Sequence, residues 1–424
     1  MQTLRDVLTG AVGGIRAPGA VVVLRSSGRD DEEIGVGADP GQLFEVGSIA
    51  KTMTALLVLQ HVERGQVRLD DPIATHLPVR LGDARAAGRV TVRHLLSHTS
   101  GLDCADDFTD TGNDDDCLER WVAEVLPEVG LLHEPGECWS YNNGGYMLLG
   151  RLVEVLDRRT FDDALIERVF EPLGLSATTT ARLRSSHRVV TGHRFDHVRG
   201  AMIEEPGRMP RCAGPAGNVV ATARDLTDFG EALFARGGGL LTAALVEEMV
   251  RPQLQMRDGG QGLAWVVPSP NLVVHGGSTR GCTAFLAVMP GVGSMCIVAN
   301  GPGAGAIAGQ IRAHLFGTPA TREPGAGSGR EVEPEDCAGR FARRNAQIEL
   351  SWLNGELVAT SHVSGALADL FPQPEPVVLH PVGGGRFWSS RPYEEGFGIW
   401  DFGGLDGGGV PMRLLTRRLL NRVG

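Results

Sequence analysis

Lysine is nearly missing from this chain: every one of its 40 basic residues is arginine except Lys51. Arginine supplies the positive charge everywhere else, so the surviving lysine stands where arginine would fail. A guanidinium does not release its proton in a protein, whereas an ε-amine can be tuned into a base. Excess positive charge is missing too. The formal net charge is -11, with the 51 acidic side chains spread along the chain. No basic stripe exists to neutralise phosphates or to dock on an anionic membrane, so neither nucleic acid nor a membrane is an expected partner. The seven cysteines (104, 117, 138, 212, 282, 296 and 337) include no CxxC pair and are odd in number. That pattern fits reduced thiols better than a disulfide framework or a zinc knuckle, and Cys104 and Cys117, which bracket an acidic loop, are read as two free thiols rather than a pair. Long apolar runs are also lacking. Ala20–Leu24 is too brief for a secretory core, and Met147–Leu156 is interrupted by Arg151 and Glu154, so a cytoplasmic protein is expected.

What is present is the composition of a globular protein, 42% hydrophobic and 21% charged over 424 residues. That length suits one large domain plus a small one. The segment 16–35 reads as paired strands, and Gly47-Ser48 opens a helix with Ile49, Met53, Leu56 and Leu57 on one face and Gly65 as its stop. Helical and loop sequence follows to about residue 235, and strand-like runs return at 262–267, 272–275, 283–289 and 294–300. Strands at both ends around a helical middle predict an α+β layer assembled from distant parts of the chain. Gly, Pro and charge concentrate at 317–333, which reads as a linker between a domain at 1–316 and a second at 334–424. The second alternates around Asn354-Gly355, a strong hairpin signal, and predicts a small β-barrel.

Three segments carry chemistry. In FEVGSIAKTMTA, Ser48 opens the helix with Lys51 three residues on and therefore on the same face. The helix dipole favours a developing oxyanion there, and burial would lower the amine's affinity for its proton. Alone, Ser-x-x-Lys is a weak motif, since a capping serine followed by a solvated lysine reads the same. In ECWSYNNGGYMLL, Tyr141 and Asn143 precede an amphipathic helix. The tyrosine can act as phenolate or as proton shuttle, and the asparagine can hold the lysine or a substrate amide. In VVHGGSTRG, the glycines Gly276 and Gly277 let a substrate backbone lie close to the strand. The amide of Ser278 can pair with that of Ser48 as an oxyanion hole, and His275 can bind a carboxylate or relay a proton.

In this order the segments resemble the serine β-lactamase and penicillin-binding-protein superfamily. Tyr-x-Asn is similar to its class C branch. His-x-Gly in place of Lys-Thr-Gly is similar to its D-aminopeptidases, family VIII-type esterases and penicillin-binding-protein-type thioesterases. LDDPIATHLP, VTVRHLLSHTSGL, FEPLGLSATTT and PAGNVVATARDLTDF resemble family landmarks in family order, so the likeness runs from about Leu24 to Asn300. The resemblance implies a penicillin-binding-protein-like sheet with a helical subdomain, followed by a small lipocalin-like β-domain. It also implies Ser48 as nucleophile, Lys51 as base, Tyr141 as proton relay, Asn143 as positioner and His275 in the acyl pocket. His94 and His98, inside HLLSHTSG, have structural counterparts in that family.

The acidic stretch DCADDFTDTGNDDDCLE lacks EF-hand spacing and reads as a solvated loop near the site entrance. His193 and His197, four apart, lack a third ligand for zinc. Neither a metal nor an organic cofactor is expected. Three readings stand. A cytoplasmic biosynthetic transacylase would take a small-molecule or peptidyl acyl donor and an amine acceptor, with a carrier protein as a further partner. A hydrolase, either an esterase or a D-amino-acid peptidase or amidase, would use water. A silent binding protein on the same fold would be signalled by loss of Ser48, Lys51 or Tyr141, and all three are present.

Overall fold

The computed structural model describes residues 3–15, 17–175, 178–180, 189–196, 199–205, 208–235, 239–256, 259–317, 329–370, 373–389, 398–407 and 409–423. Most of the expected linker, 318–328, and His197 lie outside the described residues.

An eight-stranded antiparallel sheet joins the two ends of the catalytic half. Its order is Glu32–Val36, Ala20–Ser26, Gly293–Ala299, Thr283–Met289, Leu272–Ser278, Val266–Ser269, Gly259–Gln261 and Leu254–Met256. The strand Ala20–Ser26 pairs with Gly293–Ala299 through Val21 opposite Val298, so residues far apart in sequence become neighbours. Its unbroken apolar run is explained by burial on both faces. Ala20 and Val22 pack under the helices Leu4–Ile15 and Ala304–Phe316, while Val21 and Val23 face the main core. Alternation along a strand sends successive side chains to opposite faces.

The helix Ala50–Glu63 differs from the one-sided helix its sequence suggests. All residues from Ala50 to His61 are buried, because the helices Asn143–Asp157, Phe161–Leu165 and Gly214–Gly217 pack around it. Its two buried threonines are satisfied by carbonyls: Thr52 Oγ1 donates to Ile49 O at 2.7 Å and Thr54 Oγ1 to Pro215 O at 2.8 Å. A buried hydroxyl without a partner would be costly.

Residues Gly339–Arg422 form a closed eight-stranded barrel, with Phe341 of its first strand opposite Arg422 of its last. The hairpin turn lies at Asn354 (φ 52°) and Gly355 (φ 84°), the left-handed pair that an Asn-Gly turn supplies. Phe341, Phe387, Phe402 and Leu414 pack together inside. The architecture is therefore a mixed α/β body built on one antiparallel sheet followed by a small closed barrel, as the resemblance implies. All seven cysteines are free, and Cys104 and Cys117 do not pair.

Candidate active site

The turn Gly47–Ile49 and the strand Leu272–Ser278 meet edge to edge, and two glycines permit it. A Cβ on Gly47 (φ 50°) would sit 2.5 Å from Ser278 N, and one on Gly277 would sit 1.9 Å from Val46 O and 3.2 Å from Ser48 N. Gly277 thus admits the serine turn rather than a substrate backbone, which refines the expectation for the Gly-Gly pair. Gly276 is the exposed member and borders the cavity, with no atom nearer its would-be Cβ than Ala284 O at 3.9 Å. The close approach sets the backbones of Ser48 and Ser278 side by side.

Lys51 is wholly buried at the first turn of the helix below Ser48. Its Nζ lies 3.1 Å from Ser48 Oγ and 2.7 Å from Asn143 Oδ1, and it also donates to Ala216 O. Ala216 O and Asn143 Oδ1 can only accept. A neutral amine has two hydrogens; both are taken, and the lone pair is left for the Ser48 hydroxyl. Burial, reinforced by the nearby Arg418 cation and opposed by Asp106, holds the lysine well below its ordinary value. The orientation of Asn143 is fixed from behind, since its Nδ2 donates to Asp106 Oδ1 at 3.2 Å.

Burial pushes the Tyr141 hydroxyl up to about 12, against the opposing pull of the Ser48 side chain. It remains a phenol through the physiological range, which favours the shuttle over the phenolate. Lys51 Nζ lies 5.0 Å from its ring centroid. Behind it, the His98 ring packs at 4.3 Å, and His98 Nδ1 accepts from Asn142 N at 3.1 Å. Asn142 caps the helix Asn143–Asp157 by accepting from Gly145 N at 2.9 Å. His94 closes a capping box with Thr91 away from the serine.

His275 is buried and borders the cavity. Its Nδ1 lies 2.7 Å from Gly276 O, and because a carbonyl only accepts, Nδ1 carries the hydrogen. Burial pushes this imidazole down to about 3. A neutral ring protonated on Nδ1 presents an acceptor on Nε2. In that form His275 faces the cavity as an acceptor, with its one N–H committed to Gly276 O.

A cavity of about 500 Å³ opens over Ser48. One wall is Tyr141, Trp139, Phe108 and Met209, and the other comes from the barrel, as Val363, Leu367, Pro374, Arg417 and Arg418. Phe108, Ala213 and Leu367 form an apolar seam joined by Met209, Val363 and Leu370. The sequence singles out none of these individual barrel residues. It also misread the acidic stretch, whose first half is not solvated. Asp106 and Asp107 are buried, Asp106 paired with Arg343 and Arg418 and Asp107 with Arg344 at 2.8 Å. Nothing in the sequence brings residue 106 to residue 418. Among the described residues, no group of three His, Cys, Asp or Glu side chains could hold a metal, and no helix is long and apolar enough to cross a membrane.

Comparison with known proteins agrees with this geometry. Penicillin-binding protein 4 of Amycolatopsis lactamdurans is 36% identical over 291 residues, which is 63% of this chain and 74% of that one. A D-stereospecific amidohydrolase from Streptomyces sp. is similar with a TM-score of 0.63 at 27% identity, covering 74% of this chain and 98% of that one. The crystal structure of SurE, also solved with D-Leu, matches with a TM-score of 0.73 at 21% identity, covering 99% and 98% of the two chains, barrel included. The family model described as Beta-lactamase matches residues 2–311. This chain belongs to the β-lactamase family, as a serine hydrolase or acyltransferase of the penicillin-binding-protein-like branch with a barrel added at its C-terminal side.

Proposed function

We propose that the protein transfers an acyl group through an ester on Ser48, with an amine as the preferred acceptor. An ester or thioester donor, small or peptidyl, then yields an amide or a cyclised peptide. Lys51 takes the Ser48 proton as Oγ attacks the carbonyl carbon, and the amides of Ser48 and Ser278 hold the resulting oxyanion. Tyr141 returns the proton to the leaving alkoxide or thiolate as its bond to carbon breaks. The acceptor amine enters by the reverse route, giving up a proton while Ser48 regains one. Asn143 keeps Lys51 aimed, and His275 faces the acyl group or the amine as an acceptor. The observation that carries the reading is the buried Lys51 amine, whose Nζ lies 3.1 Å from Ser48 Oγ and is held by Asn143 Oδ1 and Ala216 O. Transfer, rather than hydrolysis, is supported by the apolar barrel wall, which shields the ester from water and leaves room for a second substrate. A cytoplasmic setting belongs to the same reading.

A hydrolase is the second reading, favoured by the likeness to a D-stereospecific amidohydrolase. The test exposes wild type and Ser48→Ala to D- and L-aminoacyl esters and thioesters, with and without a primary amine. Intact mass and released products are then measured. An acyl adduct on wild type alone establishes Ser48, and the ratio of amide to acid separates transferase from hydrolase. No adduct, with ligand binding unchanged by Ser48→Ala, would point to a silent binding protein.

A further inference from the structure

The barrel does more than cover the cavity. Asp106 is buried and holds three contacts across the seam and into the site, Arg343 on Oδ2, Arg418 on Oδ1 at 2.5 Å and Asn143 Nδ2 on Oδ1, and Asn143 in turn holds the Lys51 amine. Arg343 ends the first barrel strand, and Arg418 lies in the turn before the last one, so both cations are barrel residues. The guanidinium of Arg418 lies 5.4 Å from the Tyr141 ring centroid, and Lys51 Nζ lies 5.0 Å from it. The same barrel turn holds the Tyr141 segment by its backbone: Tyr141 N donates to Arg417 O at 3.0 Å, and Leu419 N donates to Ser140 Oγ at 3.0 Å. A carboxylate buried this deeply needs its cations, and removing one partner strands the other.

We propose that the barrel is a working part of the catalytic centre, with Asp106 a positioning residue acting on Lys51 through Asn143 and Arg418 a positioning residue acting on Lys51 across the Tyr141 ring. This rests on the reading of Lys51 as the base for Ser48. The groups facing Lys51 are Ser48 on its own turn, Asn143 and Tyr146 on the helix Asn143–Asp157, Tyr141, His98, His275, Asp106 and Arg418. Burial keeps both histidines neutral and Tyr141 protonated. Asp106 and Arg418 are then the opposed charges: the carboxylate favours the ammonium form of Lys51, and the guanidinium disfavours it. Burial opposes ionisation of Asp106, but Arg418 and Arg343 outweigh it and hold the carboxyl below its usual value.

The test is the pH profile of kcat for ester turnover by the full chain. The acid limb reports the loss of neutral Lys51. Arg418→Gln removes a cation and should move that limb up by about one pH unit. Asp106→Asn removes an anion and should move it down by about one. Arg418→Lys should restore the wild-type limb. A merely structural role would lower kcat or Tm in both variants without opposite shifts. Limbs that stay put, or move together, overturn the proposal. Should Asp106→Asn fail to fold, Arg418→Gln against Arg418→Lys decides alone: an unmoved limb in the glutamine variant refutes it. Lys51→Met keeps the two readings apart, because turnover surviving there sinks the base assignment itself, whatever the seam variants do.

Discussion

Gly277→Ala is the sharpest perturbation the geometry offers. The added methyl would stand 1.9 Å from Val46 O, where real contacts do not fall below 3.0 Å. Both partners are backbone, so no side chain can swing away. The strand Leu272–Ser278 and the serine turn have to part by roughly 1 Å, and a displacement of that size costs about 10²-fold in rate when it touches reacting groups. The parting falls between the amides of Ser48 and Ser278. Losing one oxyanion donor is worth about 10²–10³ in kcat, or about 2.7–4 kcal/mol of transition-state stabilisation. Ester turnover should therefore fall by at least 10²-fold with KM changed much less. The control is Gly276→Ala on the same strand, whose methyl meets nothing nearer than 3.9 Å and should leave kcat within a few-fold. Circular dichroism melts on both variants separate loss of chemistry from loss of fold. A Gly277→Ala enzyme within threefold of wild type would refute the oxyanion assignment.

Three further outcomes follow from the same geometry. Lys51→Arg keeps the charge but removes the base, so acylation measured by intact mass should drop about 10²–10⁴-fold; an arginine enzyme within tenfold of wild type would contradict the role of the amine. His275 is held neutral down to about 3 against 6.5 when unfolded, so the unfolded chain binds the extra proton first. Its contribution to stability is whole above about 6.5 and is lost as pH falls toward 3. His275→Gln should accordingly flatten the fall of Tm between those values, and an unchanged slope would count against the buried neutral ring. Leu367→Ala thins the apolar seam with Phe108 and Ala213, which should lower the amide-to-acid ratio with donor in excess while Ser48 acylation persists; an unaltered ratio would remove the barrel wall from the case for transfer.

Much of the site was legible before the fold. Ser48 and Lys51 share a face because they are three apart on one helix, and the single lysine in an arginine-rich chain marks a place where a proton must leave. Tyr141, Asn143, His275 and the glycines stand out through the resemblance of the ordered segments to a known family, since each segment alone reads equally as core packing or a bulge. The hairpin at Asn354-Gly355 is equally local, since only certain residues accept left-handed backbone. Other features were decided by the tertiary structure alone. Whether the helix Ala50–Glu63 is half-buried or encased depends on how many helices pack around it. The protonation states of Lys51, His275 and Tyr141 depend on burial, which is set by the whole chain. The partners of Asp106 come from residues 343 and 418, more than two hundred positions away. Local sequence fixes which groups can do chemistry, because backbone and side-chain preferences act over a few residues. The charges those groups carry are fixed by what surrounds them in space, because dielectric and Coulomb terms act through distance and take no account of chain order.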